Sequence, residues 1–335
     1  MGAAYLLRPF IVRGGDVRIL ITGVGGFVGG HLLRHILETN PEAEIHGTTL
    51  AGIPQPSLPG LTCHALDLKS TDAVFTLLEA LKPDQIYHLA AQASPRASFD
   101  NPWDTLENNI HSQLNILEAC VKLRQRPRVL VVSSGEIYGA LQPGQSASTE
   151  DSSLRPGSPY GVSKVTQDML GLQYYLRYDL PVMRVRPFNH TGPGQREGFV
   201  AIDYALPIAK IEAALLPPNI EIRSPLAQRD FTDVRDVVRA YQMVIEQGVP
   251  GEVYNVASGQ TRSIQELVHG LMNLSSVKIE DRTRPDAFQN GDRSIIRGDA
   301  TRLRESTGWE TVIPFEQTLS DVLDDCRQRV RESFA

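Results

Sequence analysis

Val17-Arg-Ile-Leu-Ile-Thr22-Gly23-Val-Gly-Gly26-Phe-Val-Gly29 is the stretch that sets the fold. Its first six residues are apolar and β-rich, its glycines fall at 23, 26 and 29, and Leu32, Leu33, Ile36 and Leu37 then recur at helical spacing. Strand, glycine turn and helix in that order open a βαβ unit. Such glycines let the backbone turn tightly, approach a pyrophosphate and pack the helix on the strand, while the helix N-terminus faces the phosphates. Phe27 and Val28, inside the turn, are grouped with Gly23, Gly26 and Gly29 as cofactor-binding residues. His31 and His35 stand four apart on the helix, but no third ligand lies near them in sequence, so no metal is expected.

Strands and helices alternate outward from this unit. Glu44-Ile-His-Gly-Thr48 reads as the second strand, and its end is where a dinucleotide fold presents Asp or Glu to the adenosine ribose. Here stand Thr48, Thr49 and Leu50, neither the acid that selects NAD nor an arginine for a 2′-phosphate. The choice stays open, with NADP(H) slightly favoured over NAD(H) because no carboxylate repels the phosphate. The third strand, from Leu61, ends at Asp67 and Leu68, placed to meet the adenine. Thr71 to Leu81 is a helix. Gln85 to Ala91 is a fourth strand, whose Leu89, Ala90 and Ala91 let a cofactor lie against the backbone, with His88 packed in the core. A long helix over Trp103 to Leu123 carries a broad apolar face, and Arg128 to Ser133 is a continuously apolar strand of the kind found inside parallel sheets. With a sixth strand over Leu180 to Arg186, residues 17–186 describe a Rossmann-type, doubly wound parallel α/β sheet.

Polar residues cluster beyond the fifth strand. Ser134 is placed to hydrogen-bond a carbonyl oxygen, and Glu136 either accepts a proton or caps the loop. Ser158-Pro159-Tyr160-Gly161-Val162-Ser163-Lys164 starts the next helix, putting Tyr160 and Lys164 one turn apart on one face. Bringing a tyrosine from about 10 to about 7 takes roughly 4 kcal/mol. One cation at about 4 Å supplies that order of energy at an effective dielectric of ~20.

The rest of the chain changes character. Pro187 to Gln195 and Leu216 to Asn219 are dense in turn formers, a helix runs between them, and arginine-rich loops alternate with short helices from Ser263 onward. The expected division is an N-terminal extension at 1–16, a dinucleotide-binding domain at 17–187 and about 229–257, and a smaller C-terminal α/β substrate-binding domain at about 188–228 and 258–335. With 33 Lys and Arg against 39 Asp and Glu, the net charge of −6 leaves no electrostatic footprint for nucleic acid or membrane. No apolar run approaches a membrane span and residues 1–16 lack a signal-peptide centre, so a cytoplasmic location is expected. Cys63, Cys120 and Cys326 are too few and scattered for a disulfide framework.

Gly23-x-x-Gly26-x-x-Gly29, Ser134, Tyr160-x-x-x-Lys164 and Arg229-Asp-Phe, in that order, resemble the extended short-chain dehydrogenase/reductase family, which acts mainly on nucleotide sugars. Within it, Pro187 to Gln195, Gln228 to Asp236, Val253 to Gly259 and Glu305 to Trp309 most resemble the reductases of GDP-4-keto-6-deoxymannose, which form GDP-rhamnose; the GDP-mannose 4,6-dehydratases are close relatives. The resemblance implies Tyr160 as proton donor, its pKa at or above working pH and so only partly tuned by Lys164, Lys164 as holder of the nicotinamide ribose, and Ser134 at the C4 oxygen. It also implies sugar-nucleotide contacts from Asn189, Val200 and Arg229, with Arg223 and Arg284 as weaker candidates, and a homodimer through helices 103–123 and 160–179. Glu136 occupies the position of the dehydratase base. Ser134 in place of threonine, the Thr-Gly-Pro-Gly-Gln loop and Asp203 in place of a lysine favour a reductase instead. A non-catalytic nucleotide-sensing protein is the third reading, disfavoured because Ser134, Tyr160 and Lys164 are all kept.

Overall fold

The computed structural model describes residues 17–52, 59–289 and 292–333, so the expected N-terminal extension lies outside the described residues. In chain order, the first half runs β1 (Arg18–Thr22), α1 (Phe27–Thr39), β2 (Glu44–Thr49), β3 (Leu61–Ala65), α2 (Thr71–Leu81) and β4 (Gln85–His88). It continues through α3 (Pro95–Asp100), α4 (Pro102–Lys122), β5 (Arg128–Val132), α5 (Pro159–Tyr178) and β6 (Val182–Pro187). Local chemistry sets the helix ends. Asn101 and Ser158 cap α4 and α5 through their side chains, each ahead of a proline at the first helical position, where no N–H is needed. Asp179 closes α5 in the left-handed region at φ 55°, before Leu180 and Pro181.

The second half comprises β7 (Asn189–Thr191), α6 (Val200–Glu212), β8 (Asn219–Ile220), β9 (Gln228–Asp233), α7 (Val234–Gln247), β10 (Val253–Val256) and β11 (Thr261–Ser263). It ends with α8 (Ile264–Asn273), β12 (Glu280–Asp281), α9 (Pro285–Gln289), β13 (Ile295–Ile296), α10 (Thr301–Thr307) and α11 (Phe315–Glu332). The main sheet is seven-stranded and parallel, in the order β10-β6-β5-β4-β1-β2-β3. Its order reverses between β1 and β4, which opens a crevice at their carboxyl ends. One face is covered by α1 and α7 through Leu33, Ile36, Val237 and Tyr241, the other by α2, α4 and α5 through Leu78, Ile116, Leu117 and Tyr174. Burial on both faces explains why β5 reads as an unbroken apolar run.

Three elements pair or extend differently from the sequence reading. Residues 229–233, expected with the dinucleotide-binding part, belong to a second sheet in which β9 pairs with β7, β11 and β13. The edge of β6 is taken by β10, while β7, expected as loop because of its turn formers, offers β9 a parallel partner from Asn189 to Thr191. Asp230 then fixes β9 from within: buried, it accepts hydrogen bonds from the N–H of Ser258, Gly259 and Gly298 at 2.9, 3.0 and 3.1 Å. The tail also differs from a series of short helices, because α11 is 18 residues long. Its apolar stripe, Leu319, Val322, Leu323 and Cys326, packs with Ile208 of α6 and Leu267 and Leu271 of α8 in a core of its own.

Candidate active site

The crevice is a cleft of about 950 Å³ at the carboxyl ends of the strands. Gly23, Gly26, Phe27, Val28 and Gly29 line it, and two of the glycines are required by geometry. Gly23 has φ +69°, and a Cβ there would come 3.0 Å from the Ala90 Cα. A Cβ on Gly29 would stand 2.3 Å from the Gly23 carbonyl oxygen. The turn is therefore a bare backbone cradle at the N-terminus of α1, and it fits the pyrophosphate of a dinucleotide. Thr48, Asp67, Leu68, Leu89, Ala90 and Ala91 line the same cleft. Thr22 beneath them accepts from the N–H of Leu89 and Ala90, both at 3.1 Å, and lies 3.0 Å from His88 Nδ1. His88 is a buried core residue, as its apolar strand suggested.

Tyr160 and Lys164 stand on the buried face of α5, 8 % and 5 % exposed. The Lys164 ammonium lies 5.8 Å from the centre of the Tyr160 ring and donates to the Val132 carbonyl at 2.9 Å, which ties α5 to the end of β5. Ser133 donates to the Lys164 carbonyl at 3.1 Å and Ser163 to that of Tyr160 at 2.7 Å, so the pair is held from the backbone as well. One turn further on, Asp168 is fully buried between Arg184 Nη1 at 2.6 Å and Arg186 Nε at 2.7 Å. This buried ion pair locks α5 to β6.

The electrostatics differ from the expected tuning. Burial pushes the Tyr160 phenol up to about 12, with the Ser134 hydroxyl acting downward and the Glu136 carboxylate upward. Lys164 is not among these influences; burial lowers its own pKa to about 7. Desolvation of the buried phenol is the largest influence on it. Tyr160 is consequently protonated at neutral pH. Ser134 accepts from the Glu136 N–H at 3.2 Å, and its hydroxyl proton is shared between the Tyr160 phenol and the cleft. Glu136 also lines the cleft, its pKa raised by burial and lowered in part by Arg229.

The arginines divide. Arg229 Nη1 donates to the carbonyls of Gln228 and Ser294 at 2.9 and 3.1 Å, and Nη2 lies 3.3 Å from Asp292. Asn189 lines the cleft, and Val200 begins α6 next to Phe199, which also lines it. Like Arg229 and Val200, Arg223 and Arg284 do not line the cleft: Arg223 is exposed with its N–H bonded to the Tyr204 hydroxyl, and Arg284 pairs with Glu221 at 2.8 Å in solvent. Lys69, His190 and Arg196 line the cleft without having been singled out in sequence. The signal for Arg196 was its place immediately after the Gly-Pro-Gly-Gln run.

Comparison with known proteins places this geometry. The GDP-mannose 4,6 dehydratase family profile matches residues 20–322. A GDP-6-deoxy-D-mannose reductase from Pseudomonas aeruginosa is 35 % identical over 315 residues, 94 % of this chain and 99 % of that protein. The structure of RMD from Pseudomonas aeruginosa complexed with NADPH superposes with a TM-score of 0.80 at 32 % identity, covering 94 % of this chain and 100 % of the other. A UDP-glucose 4-epimerase from Thermus thermophilus in complex with NAD gives a TM-score of 0.81 at 25 % identity over 93 % of this chain and 99 % of the other. With the glycine cradle, the Ser134 hydroxyl and the Tyr160–Lys164 pair meeting in one cleft, the chain belongs to the GDP-mannose 4,6 dehydratase family of the extended short-chain dehydrogenase/reductases, which are NAD(P)-dependent oxidoreductases.

Proposed function

We propose that the chain reduces the C4 keto group of GDP-4-keto-6-deoxy-D-mannose to give GDP-D-rhamnose, with NADPH as the reductant. One observation carries the direction: burial keeps the Tyr160 phenol protonated beside Ser134 in the cleft, as a proton donor to a carbonyl oxygen requires. The reductase among the relatives supports the substrate. The cofactor, when bound, supplies a hydride. Ser134 donates a hydrogen bond to the C4 oxygen, and Tyr160 gives its proton to that oxygen as negative charge develops there. Lys164, anchored on Val132, has two further N–H donors to offer the ribose hydroxyls. Thr48 and Thr49 present no carboxylate against a 2′-phosphate, which favours NADPH over NADH, as does the NADPH complex of the Pseudomonas aeruginosa neighbour.

Glu136 supports a second reading, a 4,6-dehydratase acting on GDP-mannose, because its raised pKa suits a general base. Incubation with GDP-mannose and oxidised cofactor alone should leave the sugar unchanged, whereas the 4-keto-6-deoxy sugar should be consumed with oxidation of NADPH. Accumulation of the keto sugar from GDP-mannose would overturn the reductase reading, and absence of turnover with every keto sugar would favour a sensing protein. Glu136→Gln separates the roles: a reductase retains turnover within about tenfold, a dehydratase loses it. Trp103 of α4 and Leu176 of α5, 71 % and 72 % exposed, support a homodimer through these helices. Trp103→Glu with Leu176→Glu should lower the sedimentation mass to that of a monomer.

A further inference from the structure

Among the described residues, three cations line the cleft: Lys69, Lys164 and Arg196. Lys164 is bonded to Val132 on the catalytic helix, and Lys69 follows Asp67 beyond β3. Arg196 lies between Asn189 of β7 and Val200 of α6, is exposed, and makes no hydrogen bond or ion pair among the described residues. An arginine fork left without a carboxylate at the edge of a cleft is a ready partner for an oxyanion.

The loop that carries it is fixed from both ends of the chain. His31 of α1 meets the Pro193 carbonyl at 2.8 Å, so Nε2 carries the proton and donates it. From α11, Asp325 accepts from the Gly194 N–H at 3.1 Å, and Arg329 donates to the Gln195 carbonyl at 2.7 Å. Arg329 also pairs with Asp325, so these two anchors form one unit. Inside the loop, buried Gln195 accepts from Thr191 at 2.7 Å and donates to the His190 carbonyl at 3.2 Å. The polar groups of Thr191, Gln195, Asp325 and Arg329 are thus committed to the loop itself. The loop is rigid where the arginine leaves it, and rigidity lowers the entropic cost of binding.

We propose that Arg196 binds a diphosphate in the cleft, presented by a loop that His31 and the Asp325–Arg329 pair hold in place. The sequence reading gave this work first to Arg229 and more weakly to Arg223 and Arg284, none of which lines the cleft. Two ligands carry the required chemistry, the dinucleotide cofactor and a nucleoside diphosphate, and only the second rests on the nucleotide-sugar reading above.

The experiment titrates the full chain and its Arg196→Ala and Arg196→Lys variants separately with NADPH and with GDP, by calorimetry, with melting temperature as a check on folding. Arg196→Ala should weaken one of the two by about tenfold or more, and Arg196→Lys should weaken it less, since a point charge replaces the fork. The deficit should shrink as salt is raised. A loss confined to GDP assigns the sugar nucleotide as the source, and a loss confined to NADPH assigns the cofactor. Unchanged affinity for both in a folded Arg196→Ala protein overturns the proposal. Weakened GDP binding without turnover of any keto sugar would leave the arginine's role standing while the reductase reading fails.

Discussion

Replacing Lys164 by Met tests the claim that burial, rather than a partner charge, governs the Tyr160–Lys164 pair. Desolvation lowers the Lys164 pKa from 10.5 to about 7. A depressed lysine pKa means the folded state binds fewer protons than the unfolded chain between those two values. The sign follows: the destabilisation is fully present below about pH 7 and fades as pH rises toward the unfolded value. Stability of the cofactor-free protein should therefore climb by about 1.4 kcal/mol per pH unit in that window, about 2 kcal/mol between pH 7 and 9. Histidines add their own rise only near pH 7, because burial lowers His31, His35, His64, His88 and His190 below 6.5, and the comparison with Lys164→Met subtracts it. Met fills the space of the lysine stem without its charge, so Lys164→Met should flatten the slope and be more stable than wild type at neutral pH. The assay is urea unfolding at about pH 7, 8 and 9, with the m value checked for constancy. A wild-type curve without slope, or a Lys164→Met curve with the same slope, refutes the reasoning.

Tyr160→Phe should lower turnover by at least about a hundredfold while the affinity for NADPH, followed by its fluorescence, stays within a few-fold; unimpaired turnover would point to another proton donor. Asp168→Ala should cost about 3–5 kcal/mol in chemical unfolding, because it leaves the buried guanidinium groups of Arg184 and Arg186 without their shared carboxylate. Gly29→Ala should weaken cofactor binding and stability together, by about 1–3 kcal/mol in the latter, since the new methyl group would meet the Gly23 carbonyl oxygen at 2.3 Å.

Much of the fold was legible in the chain because it is written locally. The apolar run into Gly23, Gly26 and Gly29 specifies strand, turn and helix within thirteen residues, and the two buried faces of β5 show as an unbroken apolar stretch. Tyr160 and Lys164 were legible for the same reason: helical spacing alone puts them on one face. The pairing of β9 with β7 was not legible, since Asn189 to Thr191 has the composition of a turn and becomes a strand through a partner some forty residues away. Nor could the sequence sort the arginines. Arg229, Arg223, Arg284 and Arg196 are chemically alike, and only the folded chain shows Arg284 spent on Glu221 in solvent, Arg229 held beside Asp292, and Arg196 at the cleft without a partner among the described residues.

By itself, then, the sequence determined the order of the parallel units, the glycine cradle and the spacing of the Tyr-Lys pair, all of which depend on neighbours within a few turns of chain. The tertiary structure decided the charge states. Desolvation depends on every atom packed around a group, whatever its distance in sequence, and it moves Tyr160 up to about 12 and Lys164 down to about 7, where partial tuning of one by the other was expected.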